Sequence, residues 1–295
     1  MKKFTVVVTL ISILSLVLAA CGGPTECPEC PACPEGGECP PCPEAPECPE
    51  APECPECAEP GVPLTDLGGR EIVIPVDNAY PPFTYLDESG EGIGFDYDFW
   101  NEVCNKLNCT PVFKECAWDS YFEALAAGEY DVGQGGITLT LPRSLNLDTS
   151  MPYVEYGQVI LVRADDEIGD EDALVASDLN IATQMGTTNE IAAIKLVGED
   201  RVVSFEEYDM PVVALLAGDV DTVIIDEVAA IGFMGEHPGE MKVAFSVTGG
   251  ELLTIYFPPL SDLRTSINWA MQQMFADGSM DEICETWLLR PCTPE

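Results

Sequence analysis

The chain has 295 residues, of which 46% are hydrophobic, so it can form one large or two medium domains. Its 52 Asp and Glu residues outnumber its 12 Lys and Arg residues, and the formal net charge is −40. This balance argues against binding to nucleic acid or adsorption to anionic lipid, because both depend on clustered Lys and Arg.

The N-terminus has the organisation of an export signal. Two lysines precede an apolar run over residues 6–18, which is too short to span a bilayer comfortably. The run ends in Leu-Ala-Ala-Cys at residues 18–21, which resembles the lipobox of bacterial lipoproteins. That resemblance implies a signal peptide over residues 1–20 and a lipid on Cys21 that anchors the protein to the membrane, in the periplasm or at the cell surface. An ordinary secretory leader is the alternative.

Residues 21–63 are rich in Cys, Pro and Glu, and the sequence APECPE occurs twice in succession there. Such a segment lacks the apolar side chains that would offset the entropy of ordering, so it is predicted to be a disordered, semi-rigid stalk. Its eight cysteines after Cys21 form disulfides or mixed thiols outside the cell, or bind a metal through their Cys-x-x-Cys spacings. The sequence leaves these alternatives open.

From residue 61 onwards, β-branched runs alternate with segments of helical periodicity. The alternation predicts an α/β fold with largely parallel sheets. A capping box of Ser120 with Glu123, and an N-cap at Thr187 or Thr188, mark two helix starts. The predicted strands are 71–76, 130–132, 158–163, 180–183, 220–225 and 252–257. The predicted helices are 96–107, 120–127, 189–196, 210–217, 227–234, 261–276 and 279–288.

Five cysteines fall in this folded region. Cys104 with Cys109 is the predicted local disulfide, closing the end of one helix onto the next strand. Cys284 with Cys292 would attach the C-terminal tail to the last helix. Cys116 is then left over and is expected to be a small buried residue.

The segment QGGITLTLPR, residues 134–143, is the most informative for function. Its glycines allow a ligand to approach the main chain, its threonines supply hydroxyls, and Arg143 offers a planar fork that fits a carboxylate. Asp77, residues 135–138 and Asp226 all follow predicted strands. In parallel sheets, ligands bind beyond these carboxyl ends.

Seven stretches, in order and spacing together, resemble the bacterial extracellular solute-binding proteins of family 3, the amino-acid receptors of ABC importers. The resemblance implies a type II, Venus-flytrap fold with two hinge crossings, in which a first lobe (64–156 and 253–295) and a second lobe (157–252) close around the ligand. The stretches are YPPF (80–83), GIGFDYDFW (92–100), AWDSYFEALAAGEYDVGQGGITLTLPR (117–143), MPY (151–153), QMGTTNE (184–190), VDTVIIDEVAA (220–230) and ADGSMDEICETW (276–287).

The resemblance also implies roles for individual residues. Arg143 would bind the ligand α-carboxylate, helped by the Gly136 N–H, the Thr138 hydroxyl and Thr188 at a helix N-terminus. Asp226 would accept the α-ammonium, although its position also suits a helix N-cap.

Further positions would contact the ligand side chain. Tyr80 and Trp118 match the two aromatic positions that sandwich it, and Asp77 would meet a cationic group. Gln184 would instead meet an amide. Thr187, next to Thr188 at the same helix start, is also predicted to contact the ligand. Without the resemblance, the two aromatic residues would be assigned to the core and Asp77 to a polar loop.

These residues predict an amino-acid-binding lipoprotein, with a preference for a basic or polar ligand, that works as a monomer with ABC permease subunits. No cofactor and no metal are expected. One alternative is a tethered amino-acid sensor that acts on a separate signalling partner. Another is an exported dehydratase-like enzyme on the same fold, although no Ser/His/Asp set is evident and His237 is the only histidine.

Overall fold

The computed structural model describes residues 65–292. The predicted signal peptide, the lipidation site Cys21 and the stalk lie outside the described residues. No helix within residues 65–292 has the length and apolar character needed to cross a membrane.

Short strands and helices alternate along this part of the chain. The strands are β1 (Arg70–Val76), β2 (Ala79–Tyr80), β3 (Thr84–Leu86), β4 (Gly92–Ile93), β5 (Cys109–Glu115), β6 (Asp148–Thr149), β7 (Val154–Tyr156), β8 (Gln158–Arg163), β9 (Ile181–Gln184), β10 (Val202–Phe205), β11 (Thr222–Asp226), β12 (Met241–Ser246), β13 (Glu251–Leu253) and β14 (Tyr256–Phe257). The α-helices are α1 (Phe95–Leu107), α2 (Trp118–Ala126), α3 (Leu141–Ser144), α4 (Glu171–Ala176), α5 (Thr188–Val197), α6 (Met210–Ala217), α7 (Glu227–Glu236), α8 (Leu263–Asp277) and α9 (Ser279–Leu288).

The first lobe is built around the parallel pair β1 and β5. Helix α1 packs against β5, α8 and α9. Its side chains Phe95, Phe99, Val103 and Leu107 are fully buried, because a spacing of four residues places them on one helix face. Burying each such side chain contributes about 1.5–3 kcal/mol, so this face stabilises the lobe.

The second lobe is built around a five-stranded sheet with the order β10-β9-β11-β8-β12. Strands β9, β10 and β11 are parallel, whereas β8 runs antiparallel to both β11 and β12. The prediction of largely parallel sheets is therefore wrong for β8, whose pairings with β11 and β12 are both antiparallel. The chain enters this lobe through β8 and leaves it through β12, and neighbouring strands that enter and leave must run in opposite directions.

Two segments connect the lobes, and they pair with each other as the antiparallel strands β7 and β13. In this ladder Tyr156 lies opposite Glu251 and Val154 lies opposite Leu253. The two crossings agree with the predicted two-lobed fold. The exact lobe boundaries, at residues 156, 157, 252 and 253, stay a prediction.

Two predicted strands differ in the structure. Residues 130–132 form no strand. The Asp131 N–H donates to the Val73 carbonyl oxygen at 3.0 Å, but the Val73 N–H donates to the Asp131 carboxylate at 2.8 Å rather than to a main-chain carbonyl oxygen. Residues 252–257 are divided into β13 and β14, since the Ser150 hydroxyl oxygen accepts the Ile255 N–H between them at 3.0 Å.

Two further local predictions, one helix cap and one buried cysteine, are wrong. Helix α2 begins at Trp118, so Ser120 lies inside it and donates to the Ala117 carbonyl oxygen instead of forming a capping box with Glu123. Cys116 is only partly buried, and its thiol donates to the Ala117 carbonyl oxygen.

Other local predictions are confirmed. Thr187 is the N-cap of α5, where its hydroxyl oxygen accepts the Glu190 N–H at 3.2 Å. The disulfides Cys104–Cys109 and Cys284–Cys292 are both present. The first of them joins the last turn of α1 to the start of β5, and Asn108 between them adopts a left-handed conformation that ends the helix.

Removing the Cys104–Cys109 disulfide should destabilise the first lobe. The double substitution Cys104→Ala/Cys109→Ala is expected to lower the free energy of unfolding by about 2 kcal/mol, because the bridge closes a short loop in the unfolded chain. Urea titration of the purified protein measures this difference. Cys116→Ala is the control for losing a thiol alone, and an equal loss in that variant would contradict the prediction.

Candidate functional site

The ten residues predicted to contact a ligand all line one cavity between the lobes, so the structure brings the whole predicted set together. The space inside the cavity and its open mouth amounts to about 530 Å³. The ten residues are Asp77, Tyr80, Trp118, Gly136, Thr138, Arg143, Gln184, Thr187, Thr188 and Asp226.

Asp226 is the last residue of β11 and precedes α7, so the second lobe places it at the cavity. Its side chain is 3% exposed and does not cap α7. One carboxylate oxygen accepts hydrogen bonds from the hydroxyls of Tyr80 and Tyr208, and the other accepts the Asn189 side-chain N–H at 3.0 Å. Because Tyr80 belongs to the first lobe, this carboxylate joins the two lobes.

The Asp226 carboxylate has neutral neighbours rather than a counter-ion. No ion pair among residues 65–292 includes it. Burial raises its pKa to about 6, although the hydrogen bonds from Tyr80, Asn189 and Tyr208 lower it in part. A cationic ligand group beside Asp226 would therefore stabilise the ionised form.

Arg143 lies in the short helix α3, and its guanidinium is held without a carboxylate partner. It donates to the Thr138 carbonyl oxygen at 3.0 Å. Its Cζ atom lies 4.6 Å from the ring centre of Phe122 and 5.4 Å from that of Trp118, both within cation–π range. None of the ion pairs in the described part of the chain includes Arg143. Burial lowers its pKa, so an anion at this place would be favourable.

Hydroxyl groups of both lobes meet beside Arg143. The Thr138 hydroxyl lies 2.7 Å from the Tyr156 hydroxyl and 3.4 Å from the Thr188 hydroxyl. Thr188 is the first residue of α5, where main-chain N–H groups have no partner within the helix. The Gln158 side-chain amide donates to the Thr188 hydroxyl oxygen at 3.1 Å. Together these groups offer hydrogen-bond donors to an oxygen anion, as predicted for Thr138 and Thr188.

The two predicted aromatic contacts have different surroundings. The Tyr80 ring lies 3.9 Å from the Tyr208 ring, centre to centre, across the cleft. The Trp118 ring packs against Tyr121, Phe122 and the Arg143 guanidinium. Each ring therefore has a protein partner as well as a face of the cavity, and the sandwich role stays a prediction.

At Gly136 a protein side chain, the Tyr80 ring, approaches the main chain closely, and the predicted approach of a ligand stays a prediction. The φ of Gly136 is 60°, and a Cβ atom there would lie 2.7 Å from a ring carbon of Tyr80. A larger residue would displace the Tyr80 ring, whose hydroxyl donates to Asp226.

The predicted contacts at Thr187 and Gln184 have protein partners. The Thr187 hydroxyl donates to the Gln184 carbonyl oxygen, and the Gln184 amide donates to the Glu206 carbonyl oxygen at 3.0 Å.

Asp77 directly follows β1 and extends the site towards a second, acidic cavity. That adjoining cavity shares Asp77 and Trp118 with the first one and also contains the side chains of Glu115, Asp119, Glu206 and Glu207. Burial is the main cause that raises the pKa of Asp77 to about 7, and the neighbouring carboxylates add to it. No group of His, Cys, Asp and Glu within residues 65–292 is arranged to hold a metal ion. This end of the site suits an organic cation.

Three other side chains of the cavity form hydrogen bonds with the predicted site residues. Tyr208 and Asn189 donate to Asp226, and Tyr156 contacts the Thr138 hydroxyl. Asn189 follows the predicted N-cap, so its position at a helix start was a usable signal. Tyr208 lies in an irregular loop before α6, and nothing in its sequence context points to the cavity.

Comparison with known proteins gives a consistent set of relatives. The model of the bacterial extracellular solute-binding proteins, family 3, matches residues 72–290. A probable histidine-binding protein of Neisseria gonorrhoeae is 31% identical over 163 residues, which are 55% of this chain and 60% of the relative. An arginine-binding periplasmic protein of Mannheimia haemolytica is 27% identical over 221 residues, 73% of this chain and 90% of the relative. The crystal structure of the arginine-, lysine-, histidine-binding protein ArtJ of Geobacillus stearothermophilus superposes with a TM-score of 0.70 and 30% identity, over 75% of this chain and 96% of that one.

The buried carboxylate of Asp226 should make the ligand-free protein less stable at neutral pH than an amide would. Its pKa in the folded state, about 6, exceeds the ordinary value near 4, so the stability that its protonated form confers is present below about pH 4 and is lost as the pH rises through 6. Asp226→Asn is therefore expected to raise the free energy of unfolding by about 1–3 kcal/mol at pH 7.5.

Urea titrations at pH 7.5 and pH 5 test this expectation. The difference in the free energy of unfolding between the variant and the wild type should be smaller at pH 5. The control for losing one negative charge is Asp219→Asn, at an exposed position. A gap that widens at pH 5 would contradict the role of burial.

Proposed function

Because the chain belongs to family 3 of the bacterial extracellular solute-binding proteins, we propose that it captures an amino acid between its lobes and delivers it to an ABC import permease. The single observation that carries this proposal is the pair Asp226 and Arg143, which are buried or partly buried charges of opposite sign without counter-ions among the described side chains. Proteins of this family bind solutes and are not enzymes, so the site needs no catalytic group.

A zwitterionic amino acid satisfies both charges. Its α-carboxylate pairs with the Arg143 fork and accepts from the Thr138 and Thr188 hydroxyls, and its α-ammonium donates to Asp226. Each charge-assisted bond contributes roughly 1.5–3 kcal/mol. Several such bonds together are enough for micromolar binding, which corresponds to about −8 kcal/mol.

The ligand side chain is proposed to be cationic. Once the α-groups are bound, the remaining lining includes Asp77, Tyr80 and Trp118, with the carboxylates of the adjoining cavity beyond. A carboxylate beside aromatic faces suits guanidinium or ammonium groups. The names of the relatives, which include arginine-, lysine- and histidine-binding proteins, support the same ligand class.

The location follows from the N-terminal sequence. A lipid on Cys21 would hold the protein at the extracytoplasmic face of a membrane, and the segment over residues 21–63 would let the two lobes reach the permease. The protein is proposed to act as a monomer.

Loss of Arg143 should abolish amino-acid binding while the fold persists. We expect Arg143→Ala to weaken the best ligand by roughly 100-fold or more, because its α-carboxylate would lose its buried cation. A thermal-shift panel of the common amino acids first identifies that ligand, and calorimetric titration then measures its affinity for each variant. Arg264→Ala, at a partly exposed arginine outside the cavity, is the matched control. Near wild-type affinity in Arg143→Ala would exclude the proposed role.

Asp77 should determine the preference for cationic side chains. Asp77→Asn is expected to weaken arginine or lysine by about tenfold to 100-fold, because a charge-assisted hydrogen bond is lost, and to weaken glutamine less than about threefold. The ratio of the two affinities is the measurement, and Asp219→Asn, at an exposed position outside both cavities, is the control. Equal losses for arginine and glutamine would contradict a role in side-chain selection.

A further inference from the structure

A glycine lies in the interior of α7, the helix that begins directly after Asp226. Gly232 is an unfavourable residue at a helical position, since glycine loses more conformational freedom than alanine when a helix forms. A Cβ atom built on it would lie 3.2 Å from the carbonyl carbon of Pro81, and 3.3 Å from both the Pro81 oxygen and the Pro82 nitrogen. These distances are shorter than most Cβ contacts in proteins. The absence of a side chain therefore lets α7 approach a main-chain segment of the first lobe.

Neither side of this contact can move aside easily within its own lobe. On the first lobe, the Pro82 carbonyl oxygen accepts the Phe95 N–H at 2.9 Å, which fixes this segment to the start of α1. On the second lobe, Val228, Ala229 and Phe233 of α7 are buried in the core. The relative position of the two lobes is the softer coordinate, because hinge segments absorb domain movements.

The same two segments also carry the polar contact across the cleft. Tyr80 precedes Pro81 and donates to Asp226, and its ring lies against Tyr208. Residues 79–82 of the first lobe thus run along the start of α7, and we call this contact between the lobes the seam. Gly232 lies at its far end. Gly232 and Pro81 do not line the cavity.

We propose that the contact of Gly232 with the main chain of Pro81 and Pro82 sets how far the lobes close, and thereby sets ligand affinity from outside the cavity. This inference rests on the proposed function, in which lobe closure and ligand binding are coupled. When only the closed form binds tightly, the apparent dissociation constant is the intrinsic constant divided by the closed fraction. A wedge at Gly232 lowers that fraction.

The test is a graded pair of substitutions with matched controls on the same helix. Gly232→Ala and Gly232→Val introduce one and three carbon atoms into the seam. Gly235→Ala and Gly235→Val are the controls, because no atom lies within 4 Å of a Cβ atom at Gly235. Each variant is titrated by calorimetry with the best amino acid from the wild-type panel, and each is melted without ligand.

We expect the dissociation constant to rise about three- to tenfold in Gly232→Ala and further in Gly232→Val, through faster dissociation, and to stay within about twofold in the Gly235 variants. The melting temperature of ligand-free Gly232→Ala should equal or exceed that of the wild type, because alanine favours the helix. Lower affinity with undiminished stability is the signature of a closure contact, since a defect within one lobe would lower both.

Three results would count against these ideas, and they are distinguishable. If wild-type protein binds no amino acid, the proposed function fails and the inference fails with it. If wild-type protein binds and the Gly232 variants bind equally well, the closure contact alone is excluded. If Gly232→Ala melts well below both the wild type and Gly235→Ala, Gly232 is required for folding of the lobe rather than for closure.

Discussion

The structure depends on a carboxylate that is buried between two lobes and forms no ion pair with any side chain of residues 65–292. Asp226 retains its hydrogen bonds through Tyr80, Tyr208 and Asn189, and these neutral donors offset only part of the cost of removing a charge from water. An ionised carboxylate has about four acceptor positions, of which the protein occupies three. Two of the three are on one oxygen, so the other oxygen, bonded only to Asn189, has room for one more donor. An α-ammonium group fits this requirement in number and in charge.

Arg143 presents the complementary requirement. Its guanidinium is positioned by a carbonyl oxygen and by two aromatic rings, which orient a cation without neutralising it. In a chain with 52 acidic residues, a cation that pairs with none of the described carboxylates marks a place for an anion from outside. Holding both charges without counter-ions costs folding free energy. In the proposed function a zwitterionic ligand offsets that cost when it binds, so the same residues that weaken the protein would favour ligand capture.

The sequence predicted the residues that occupy regular positions. Asp77 and Asp226 come at the ends of buried strands, Thr187 at a helix start, and Arg143 after a glycine- and threonine-rich segment, and each has a local physical signal. Tyr208 could not be predicted, because its role arises from contact with Tyr80 of the other lobe. The segment 130–132 was wrongly predicted as a strand from its apolar residues. There the Asp131 carboxylate, rather than a main-chain carbonyl oxygen, accepts the Val73 N–H. Local sequence patterns thus predict which residues lie at strand ends and helix starts. Contacts across the cleft depend instead on how the two lobes meet.

The seam between residues 79–82 and α7 links the environment of the Asp226 carboxylate to the opening and closing of the lobes. If the lobes separated, Tyr80 would leave Asp226, and water would replace it as the donor to the carboxylate. Closure returns the Tyr80 hydroxyl to Asp226 and excludes that water. Because the surroundings are then less polar, the free acceptor position of the carboxylate attracts a cation more strongly. A protein that closed too readily without ligand would trap an uncompensated charge, whereas a protein that closed too reluctantly would bind weakly. The absence of a side chain at Gly232 and the hydroxyl of Tyr80 act on the same segment, so steric fit and charge together set the balance between these two outcomes.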